Sequence, residues 1–209
     1  MPPISPSGKM SLQLRDGITL YFSRHGETRA NREHRFSGKR DTPLTDKGRA
    51  QAHAIGEILE REVGMRPPLA FVSSPLQRAR STMEIVRKTL GLPLEGYAID
   101  PRIEEIDLGD WDQLTDDEAR GLDPALFDAR HADKWHVNVP GGENYAQVAA
   151  RATDWAQSLT TDTFAVSHGA LTRVLRGLIL DMDWQGMSCM DEPQGVVFRV
   201  RGGAVERLD

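Results

Sequence analysis

The sequence predicts an α/β sandwich with a largely parallel sheet, because short apolar runs alternate along the chain with segments of helical periodicity. The apolar runs are rich in β-branched and aromatic residues, a composition typical of buried strands. The chain has 209 residues, which is enough for one domain with its own hydrophobic core. We therefore expect a single domain over residues 15–209, preceded by a flexible tail over residues 1–14 that is rich in proline and serine.

The first predicted strand, Ile18 to Ser23, ends at a turn that contains Gly26. A long helix follows it, with Thr45 as the expected N-cap, because a threonine oxygen accepts hydrogen bonds from the first helical amides. The apolar stripe of this helix consists of Ala50, Ala54, Ile55, Ile58, Leu59 and Val63. This spacing predicts an amphipathic helix with one apolar stripe.

Leu69 to Ser73 is the second predicted strand, and a second helix follows it. Gly91 and Pro93 mark the end of that helix, since neither residue favours its continuation. The helical stripe is formed by Ala79, Met83, Val86 and Leu90. Two strand–helix pairs thus occupy the first half of the chain.

The same alternation returns after an irregular segment. Ile106 to Pro140 holds nine acidic and three basic residues, and we expect short helices and loops there. Thr163 to Ser167 is the third buried strand, Ala170 to Leu180 is a helix, and Val196 to Val200 is a late strand. Another helix precedes the third strand and carries Val148, Ala149, Ala152, Trp155, Ala156 and Leu159.

Charge and composition argue against several classes of protein. The 26 basic and 31 acidic residues give a net charge of −5, the wrong sign for binding a nucleic-acid backbone. No apolar stretch approaches the ~18 residues that a membrane span requires. The single cysteine, Cys189, has no partner for an internal disulfide, and no cysteine–histidine pairs have zinc spacing. We therefore expect a cytoplasmic protein without a metal site, a nucleic-acid partner or a membrane association.

Charged side chains follow each of the three predicted buried strands. The first strand runs into Arg24 and His25, the second is followed by Arg78, and the third runs into His168. The carboxyl ends of parallel strands meet at one edge of the sheet, which is where ligands bind in open α/β folds. We therefore expect these four side chains to lie together.

Two arginines and two histidines in one place are suited to phosphoryl chemistry. Arginine binds phosphate oxygens bidentately, and two arginines neutralise a phosphoryl dianion. Positive charge beside a histidine opposes its protonation, so one ring nitrogen stays free to attack phosphorus. The second histidine can donate to the equatorial oxygens, which carry the transition-state charge. This combination predicts a phosphohistidine intermediate, with arginines in place of a metal or another cofactor.

The leaving oxygen needs a proton, and a buried carboxyl group with a raised pKa can supply it. The pair Glu104 and Glu105, just after the segment Tyr97 to Ile103, is the obvious source. Successive side chains of an extended segment alternate faces, so one of the two is expected to point inward. The spacing leaves open which one does.

A set of short motifs is distributed over most of the chain. It comprises Leu20 to Thr28 with Asn31, Phe36 to Gly38, Asp41 to Gly48, Ser73 to Thr82, Glu105 to Trp111, Pro140 to Glu143, and Ser167 to Gly169. In content and order this set resembles the histidine phosphatases, the phosphoglycerate mutase-like superfamily. The resemblance implies a three-layer sandwich in which helices flank a mostly parallel central sheet.

The resemblance also implies roles for individual residues. His25 would be the phosphorylated nucleophile. Glu105 rather than Glu104 would be the acid, since in the family this glutamate directly precedes the segment that matches Ile106 to Gly109. The other residues of the phosphate pocket would be Arg24, Arg78, His168, Asn31, Ser37, Gly38 and the backbone amide of Gly169.

Several of these residues also have ordinary structural explanations. Arg24 and Arg78 are suited to ion pairs at the sheet edge, and His168 is suited to a core position. A run of basic residues after the first motif either holds an anionic substrate or forms a solvated loop. These residues are Arg29, Arg32, Arg35, Lys39 and Arg40.

The family contains phosphatases and cofactor-dependent mutases, and the mutases carry a longer insertion with extra basic residues. Here the segment Ile106 to Pro140 has three basic and nine acidic residues, a net charge of −6. This charge opposes a substrate with two phosphates and a carboxylate, unless the acidic side chains point away. We therefore expect a metal-independent phosphatase of a small-molecule phosphate monoester, with phosphoglycerate mutase as the alternative.

A non-catalytic phosphometabolite-binding protein of the same fold is a further alternative. The chain keeps every charged residue of the implied pocket, which argues against this reading. The other partner to consider is a second copy of the chain, paired through the strand Val196 to Val200 in a homodimer.

Overall fold

The computed structural model describes residues 11–64 and 69–209. Within these ranges the strands are β1 (Leu20–Arg24), β2 (Ala70–Ser73), β3 (Ala98–Ile99), β4 (Thr163–Ser167), β5 (Val197–Arg201) and β6 (Ala204–Leu208). The helices are α1 (Arg29–Arg32), α2 (Asp46–Val63), α3 (Gln77–Thr89), α4 (Asp116–Leu122), α5 (Pro124–Ala132), α6 (Tyr145–Ser158), α7 (Gly169–Ile179) and α8 (Trp184–Cys189). Short 3₁₀ turns span Pro101–Ile103 and Gly109–Trp111.

The strands form one sheet in the order β3-β2-β4-β1-β5-β6, and the sheet lies between two helical layers. β1 to β4 run parallel to one another, whereas β5 is antiparallel to both β1 and β6. Leu20 and Phe22 of β1 pack in one core cluster with α6 and α7, and Tyr21 packs in another with α2 and α3. Side chains alternate faces along a strand, so both faces of the sheet are covered. The predicted three-layer, mostly parallel sandwich is confirmed.

The strand register brings the expected functional segments to one edge. Arg24 at the end of β1 lies opposite Ser167 at the end of β4, and Ser73 of β2 lies opposite Val166 of β4. The residues that follow these three strands therefore share the carboxyl edge of the sheet.

The long helices start and stop close to their predicted limits. Thr45 caps α2, and its side-chain oxygen accepts a hydrogen bond from the Gly48 amide at 3.0 Å. After α3, Gly91 has a φ of 68°, a left-handed conformation that glycine adopts without strain. The middle segment consists of short helices and loops, as expected. Asp116 and its two acidic neighbours occupy the first turn of α4, where they face the positive end of the helix dipole.

Two expectations need correction. Leu12 is only 1% exposed, and its amide donates to the Leu178 carbonyl at 3.0 Å, so packed structure begins before residue 15. The remainder of the expected tail, residues 1–10, lies outside the described residues.

The late strand, β5, pairs with β1 on one side and β6 on the other, so it has no free edge for a dimer. The strand β6 was missed, because its alternation is short and its side chains are mostly exposed.

A separate apolar cluster lies beside the carboxyl edge of the sheet. Ala119 of α4 and Phe127 of α5 pack there with Trp111 and Val139. The Phe36 ring stacks on Trp111 with 5.9 Å between centroids, which ties the loop after α1 to this cluster. The α4–α5 segment is thereby fixed next to the strand ends. In the described ranges, no helix is both long enough and apolar enough to cross a membrane.

The turn after β1 fits directly against the first turn of α2. A Cβ atom added to Gly26 would lie 2.1 Å from the Gly48 carbonyl oxygen. A Cβ atom added to Gly48 would lie 2.0 Å from the Glu27 carbonyl oxygen. Neither distance leaves room for a carbon atom, so the two backbones touch here. The start of α2 therefore fixes the position of the turn that carries His25.

We expect Gly48→Ala to lower the free energy of unfolding by about 2 kcal/mol, because the new methyl group forces the turn and α2 apart. Gly121→Ala is the matched control, since Gly121 lies inside α4 with no atom within 4 Å of an added Cβ. The control should gain about 0.5–1 kcal/mol from the better helix propensity of alanine. Urea unfolding of both variants measures this difference, and equal stability of the two would contradict the packing argument.

Candidate active site

A cavity of about 330 Å³ opens at the carboxyl edge of the sheet, beneath the α4–α5 segment. Its lining combines charged residues from the strand ends with apolar residues from the apolar cluster. The lining residues are Arg24, His25, Asn31, Arg35, Phe36, Ser37, Glu105, Ile106, Leu108, Trp111, Asp116, Arg130, His131, Lys134, Tyr145, Ala170, Arg173 and Glu192. Five of the nine expected site residues are among them: Arg24, His25, Asn31, Ser37 and Glu105.

His25 presents one ring nitrogen to the cavity. Its side chain is almost fully buried, and its Nδ1 lies 2.8 Å from the Gly26 carbonyl oxygen. A carbonyl oxygen only accepts, so Nδ1 carries the ring proton and Nε2 keeps a free lone pair. Burial, then Arg78 and then Arg24 lower the pKa of His25 well below its usual value. His25 is therefore neutral at pH 7 and able to act as a nucleophile.

His168 lies directly beside His25, with 5.2 Å between the ring centroids. Its Nε2 is 2.7 Å from Ser74 Oγ, and Ser74 Oγ in turn accepts from the Leu76 amide. When the Ser74 hydroxyl donates to Nε2, the ring proton of His168 lies on Nδ1. That Nδ1 is buried and has no hydrogen-bond partner among the described residues. Burial, followed by Arg78 and His25, lowers the pKa of His168 well below its usual value.

Arg78 is held under the site by backbone oxygens. Its Nη2 donates to the carbonyl of Gly38 at 2.6 Å and to that of Ser37 at 3.2 Å. Its Nη1 donates to the Arg40 carbonyl at 3.1 Å and to Asp41 Oδ1 at 3.0 Å. The side chain is fully buried, and Nε has no partner within the described ranges.

Arg24 is anchored from the other side of the site. Its Nη1 donates to the Glu192 carbonyl oxygen at 2.7 Å, while its buried Nε is unpaired in the described part of the chain. An unsatisfied buried donor costs about 1–3 kcal/mol. Arg24 and Arg78 each carry one, His168 carries one in the tautomer that is protonated on Nδ1, and all three side chains lie around His25. An anion bound there would satisfy these donors.

The structure places Glu105, and not Glu104, in the cavity. Glu105 is 7% exposed, and its Oε1 accepts from the Ile106 amide at 2.9 Å and the Ala170 amide at 3.2 Å. Burial, and after it the nearby Glu192 carboxylate, raises the pKa of Glu105. Glu104 instead forms an ion pair with Lys39. Glu105 is therefore the carboxyl group available for proton transfer.

The remaining expected residues have distinct positions. Asn31 Oδ1 accepts from the Thr28 amide at 3.1 Å and from Gln194 Nε2, so only its amide nitrogen remains for a ligand. The buried Ser37 Oγ is unpaired among the described residues and lines the cavity. Gly38 and Gly169 do not line it. Gly38 supplies a carbonyl to Arg78, and Gly169 begins α7 against the side chain of Glu192.

Several residues of the cavity were not expected from the sequence. Glu192 contacts both Arg24 and Arg173, and Arg173 also donates to the Tyr145 hydroxyl at 2.9 Å. Helical spacing could have found Arg173, because it lies four residues after Gly169 on the same face of α7. Lys134 and Glu192 lie outside the long periodic elements, where no pattern indicates the direction of a side chain.

The charge of the middle segment is distributed differently from our expectation. Of its nine acidic residues only Asp116 lines the cavity, whereas two of its three basic residues, Arg130 and Lys134, do so. In the cavity lining the basic side chains of this segment therefore outnumber its acidic ones. Of the five basic residues after the first motif, only Arg35 lines the cavity, and it is paired with Glu118. Within the described residues, no group of three or more histidine, cysteine, aspartate or glutamate side chains is arranged to hold a metal ion.

The two buried histidines should make stability depend on pH. The folded-state pKa of His168 is lowered, so the unfolded chain binds more protons below the ordinary histidine pKa, and stability is lost as the pH falls. Between about pH 7.5 and 5.5 this loss amounts to about 1.4 kcal/mol for one histidine that stays neutral when folded. His168→Gln should therefore lose about 1.4 kcal/mol less than the wild type over this interval. Urea unfolding in a phosphate-free buffer measures the difference. The same slope in both proteins would show that folding does not lower the pKa of His168.

Comparisons with known proteins agree with this geometry. The family described as the histidine phosphatase superfamily (branch 1) matches residues 20–203. A glucosyl-3-phosphoglycerate phosphatase from Mycolicibacterium vanbaalenii is 36% identical over 179 residues, which cover 78% of this chain and 76% of that protein. A probable phosphoglycerate mutase from Erwinia tasmaniensis is 31% identical over 197 residues, which cover 92% of this chain and 85% of that protein.

Solved structures give the same result. Bacillus stearothermophilus YhfR superimposes with a TM-score of 0.76 at 34% identity, covering 91% of this chain and 95% of its own. A mycobacterial glucosyl-3-phosphoglycerate phosphatase in complex with VO3 superimposes with a TM-score of 0.72 at 28% identity, covering 92% of this chain and 98% of its own. The chain belongs to the histidine phosphatase superfamily, branch 1, and is a phosphoric monoester hydrolase.

Proposed function

We propose that the chain hydrolyses a small phosphate monoester, without a metal, through a phosphohistidine on His25. The observation that supports this most is the unprotonated Nε2 of His25 beside the unsatisfied donors of Arg24, Arg78 and His168. The donors bind and neutralise the phosphoryl oxygens, and His25 supplies the nucleophile.

In the first step His25 Nε2 attacks phosphorus, a P–N bond forms, and the P–O bond to the leaving group breaks. Protonated Glu105 gives its proton to the leaving oxygen. In the second step the Glu105 carboxylate accepts a proton from water, whose oxygen attacks phosphorus. The P–N bond then breaks, inorganic phosphate leaves, and both His25 and Glu105 return to their starting states.

The reaction needs an unprotonated His25 and a protonated Glu105 at the same pH. Burial lowers the pKa of His25 and raises that of Glu105, because burial disfavours the charged form of each group. A neutral histidine and a protonated carboxyl group can therefore coexist in one pocket.

The leaving group occupies the part of the cavity under the α4–α5 segment. Leu108 and Trp111 offer it apolar surface, and Lys134 offers it positive charge. This mixture suits a monoester whose organic part also carries an anionic group. Glucosyl-3-phosphoglycerate, after which the mycobacterial relatives are named, is a monoester of this kind. We include a cytoplasmic location in the proposal, since the single cysteine does not depend on an oxidising compartment.

A phosphoglycerate mutase is the second candidate. The basic residues of the lining favour it, because a mutase must retain a substrate with several negative charges. The two activities share the phosphohistidine and differ in the acceptor, which is water in a phosphatase and a phosphoglycerate in a mutase.

We expect phosphate release from para-nitrophenyl phosphate and from glucosyl-3-phosphoglycerate to persist in EDTA. His25→Ala should lower this turnover by about 10⁴-fold or more, since it removes the nucleophile that forms the covalent intermediate. His53→Ala is the control, because His53 is an exposed histidine on α2 outside the cavity. Mass spectrometry after an alkaline quench should detect a phosphoryl group on His25.

Several outcomes would contradict this proposal. Loss of activity in EDTA would exclude the metal-independent mechanism. Turnover by His25→Ala at the wild-type rate would exclude the nucleophile. Transfer of the phosphoryl group between the positions of phosphoglycerate, without release of phosphate, would establish the mutase instead.

The role of Glu105 predicts a dependence on the leaving group. Glu105→Gln should lower kcat/KM for an alkyl monoester by about 10²- to 10⁴-fold, the usual contribution of general acid catalysis. The loss should be much smaller for para-nitrophenyl phosphate, whose leaving group needs no proton. In the wild type, activity on the alkyl monoester should fall as the pH rises through the raised pKa of Glu105, and this limb should disappear in Glu105→Gln. Glu104→Gln is the matched control. An equal loss in both variants would remove the acid role from Glu105.

A further inference from the structure

The strongest unexplained feature of the site is a carboxylate inside an anion-binding pocket. Glu192 lies 3.5 Å from Arg24 Nη1 through Oε2, and 2.9 Å from Arg173 Nη2 through Oε1. Its side chain is 24% exposed, and both arginines are more buried. A negative group at this point opposes the binding of a phosphoryl dianion.

The Glu192 carboxylate occupies space that a ligand would otherwise use. It lies so close to the first residue of α7 that a Cβ at Gly169 would be 2.3 Å from Oε2 and 3.3 Å from the Arg24 guanidinium carbon. The carboxylate thus fills the gap between Arg24 and the N-terminal end of α7, where backbone amides and the helix dipole favour an anion.

The backbone around Glu192 is fixed independently of this carboxylate. Asp191 pairs with the buried Arg176, with 2.8 Å between Oδ1 and Nη1. Gln194 Nε2 donates to the His25 carbonyl at 3.0 Å. The Glu192 carbonyl oxygen accepts from Arg24 at 2.7 Å. Movement of the Glu192 side chain therefore leaves Arg24 anchored and the main chain in place.

We propose that the Glu192 carboxylate is an internal counter-anion, which pairs with Arg24 and Arg173 while the pocket is empty and is displaced by the incoming phosphoryl group. The inference rests on the proposed function only for the identity of the anion. Both arginines have a buried Nε without a partner in the described ranges, so they retain donors that the carboxylate does not use and a phosphoryl group can use.

In this role Glu192 is a positioning residue that acts through Arg24 and Arg173, and it lowers the affinity of the pocket for anions. It keeps Arg24 and Arg173 neutralised between turnovers, and it competes with the substrate and with the product phosphate for the same donors. Competition for the product favours its release, because the carboxylate returns to the arginines as phosphate leaves. Removing the negative charge should therefore tighten the binding of both anions.

The test is isothermal titration of inorganic phosphate into the wild type, Glu192→Gln and Glu206→Gln. Glutamine keeps the size of the side chain and the backbone contact with Arg24. Glu206→Gln is the matched control. It removes a carboxylate from the ion pair between Glu206 of β6 and Arg199 of β5, and neither residue lines the cavity. We expect the Kd for phosphate to fall about tenfold in Glu192→Gln and to stay unchanged in Glu206→Gln.

Measuring KM and product inhibition beside the Kd for phosphate adds a readout that a purely structural role would not produce. In Glu192→Gln, KM for a phosphate monoester should fall together with the Kd for phosphate, and inhibition by product should become stronger. Equal or weaker phosphate binding by Glu192→Gln than by the wild type, including no binding by either, overturns the inference. Failure of the proposed function is distinguishable, since it would appear as absent turnover and absent phosphohistidine in the wild type, whatever the two phosphate affinities are.

Discussion

Burial of the Arg78 guanidinium is the constraint on which the site depends. An unpaired charge in the interior is very costly, so Arg78 of α3 can be buried only if acceptors close around it. The loop between α1 and α2 supplies them, through the carbonyls of Ser37, Gly38 and Arg40 and the carboxylate of Asp41. The same closure brings Ser37 to the cavity wall. The contacts that fix this loop therefore also position Arg78 and Ser37 in the phosphate pocket.

The buried positive charge also determines which groups of the pocket can react. His25 and His168 are near Arg78 and fully buried, and both effects keep their rings neutral. Glu105 is near the same arginines, which favour its ionised form, yet burial and Glu192 outweigh them and raise its pKa. Low solvent access thus favours the neutral forms of both the histidine and the carboxyl group in one pocket, although the net charge around them is positive.

The sequence predicted the parts of the structure that obey local rules. β4 has its predicted limits, Thr45 caps α2 as expected, and the residues after three parallel strands meet because parallel strands end at one edge. Residues that reach the cavity from irregular segments were not predictable. Lys134 and Glu192 lie outside the long periodic elements, and their direction depends on how the α4–α5 segment and the chain after α8 pack. For the same reason the acidic composition of the middle segment was a poor guide to the charge of the cavity.

Each arginine of the phosphate pocket is paired with a carboxylate, but the two carboxylates are held in place differently. Arg78 has a permanent counter-charge, because Asp41 also accepts hydrogen bonds from the backbone amides of Gln77 and Arg78 and is thereby fixed to the start of α3. Arg24 has Glu192, whose carboxylate contacts two arginine side chains but receives no backbone hydrogen bond within the described residues. A carboxylate bound only by side chains can leave without breaking the fold, whereas Asp41 cannot. The pocket thus combines Arg78, whose fixed ion pair holds the loop, with Arg24, whose carboxylate partner is exchangeable. A site needs such an exchangeable partner if an anion is to enter and leave in every catalytic cycle.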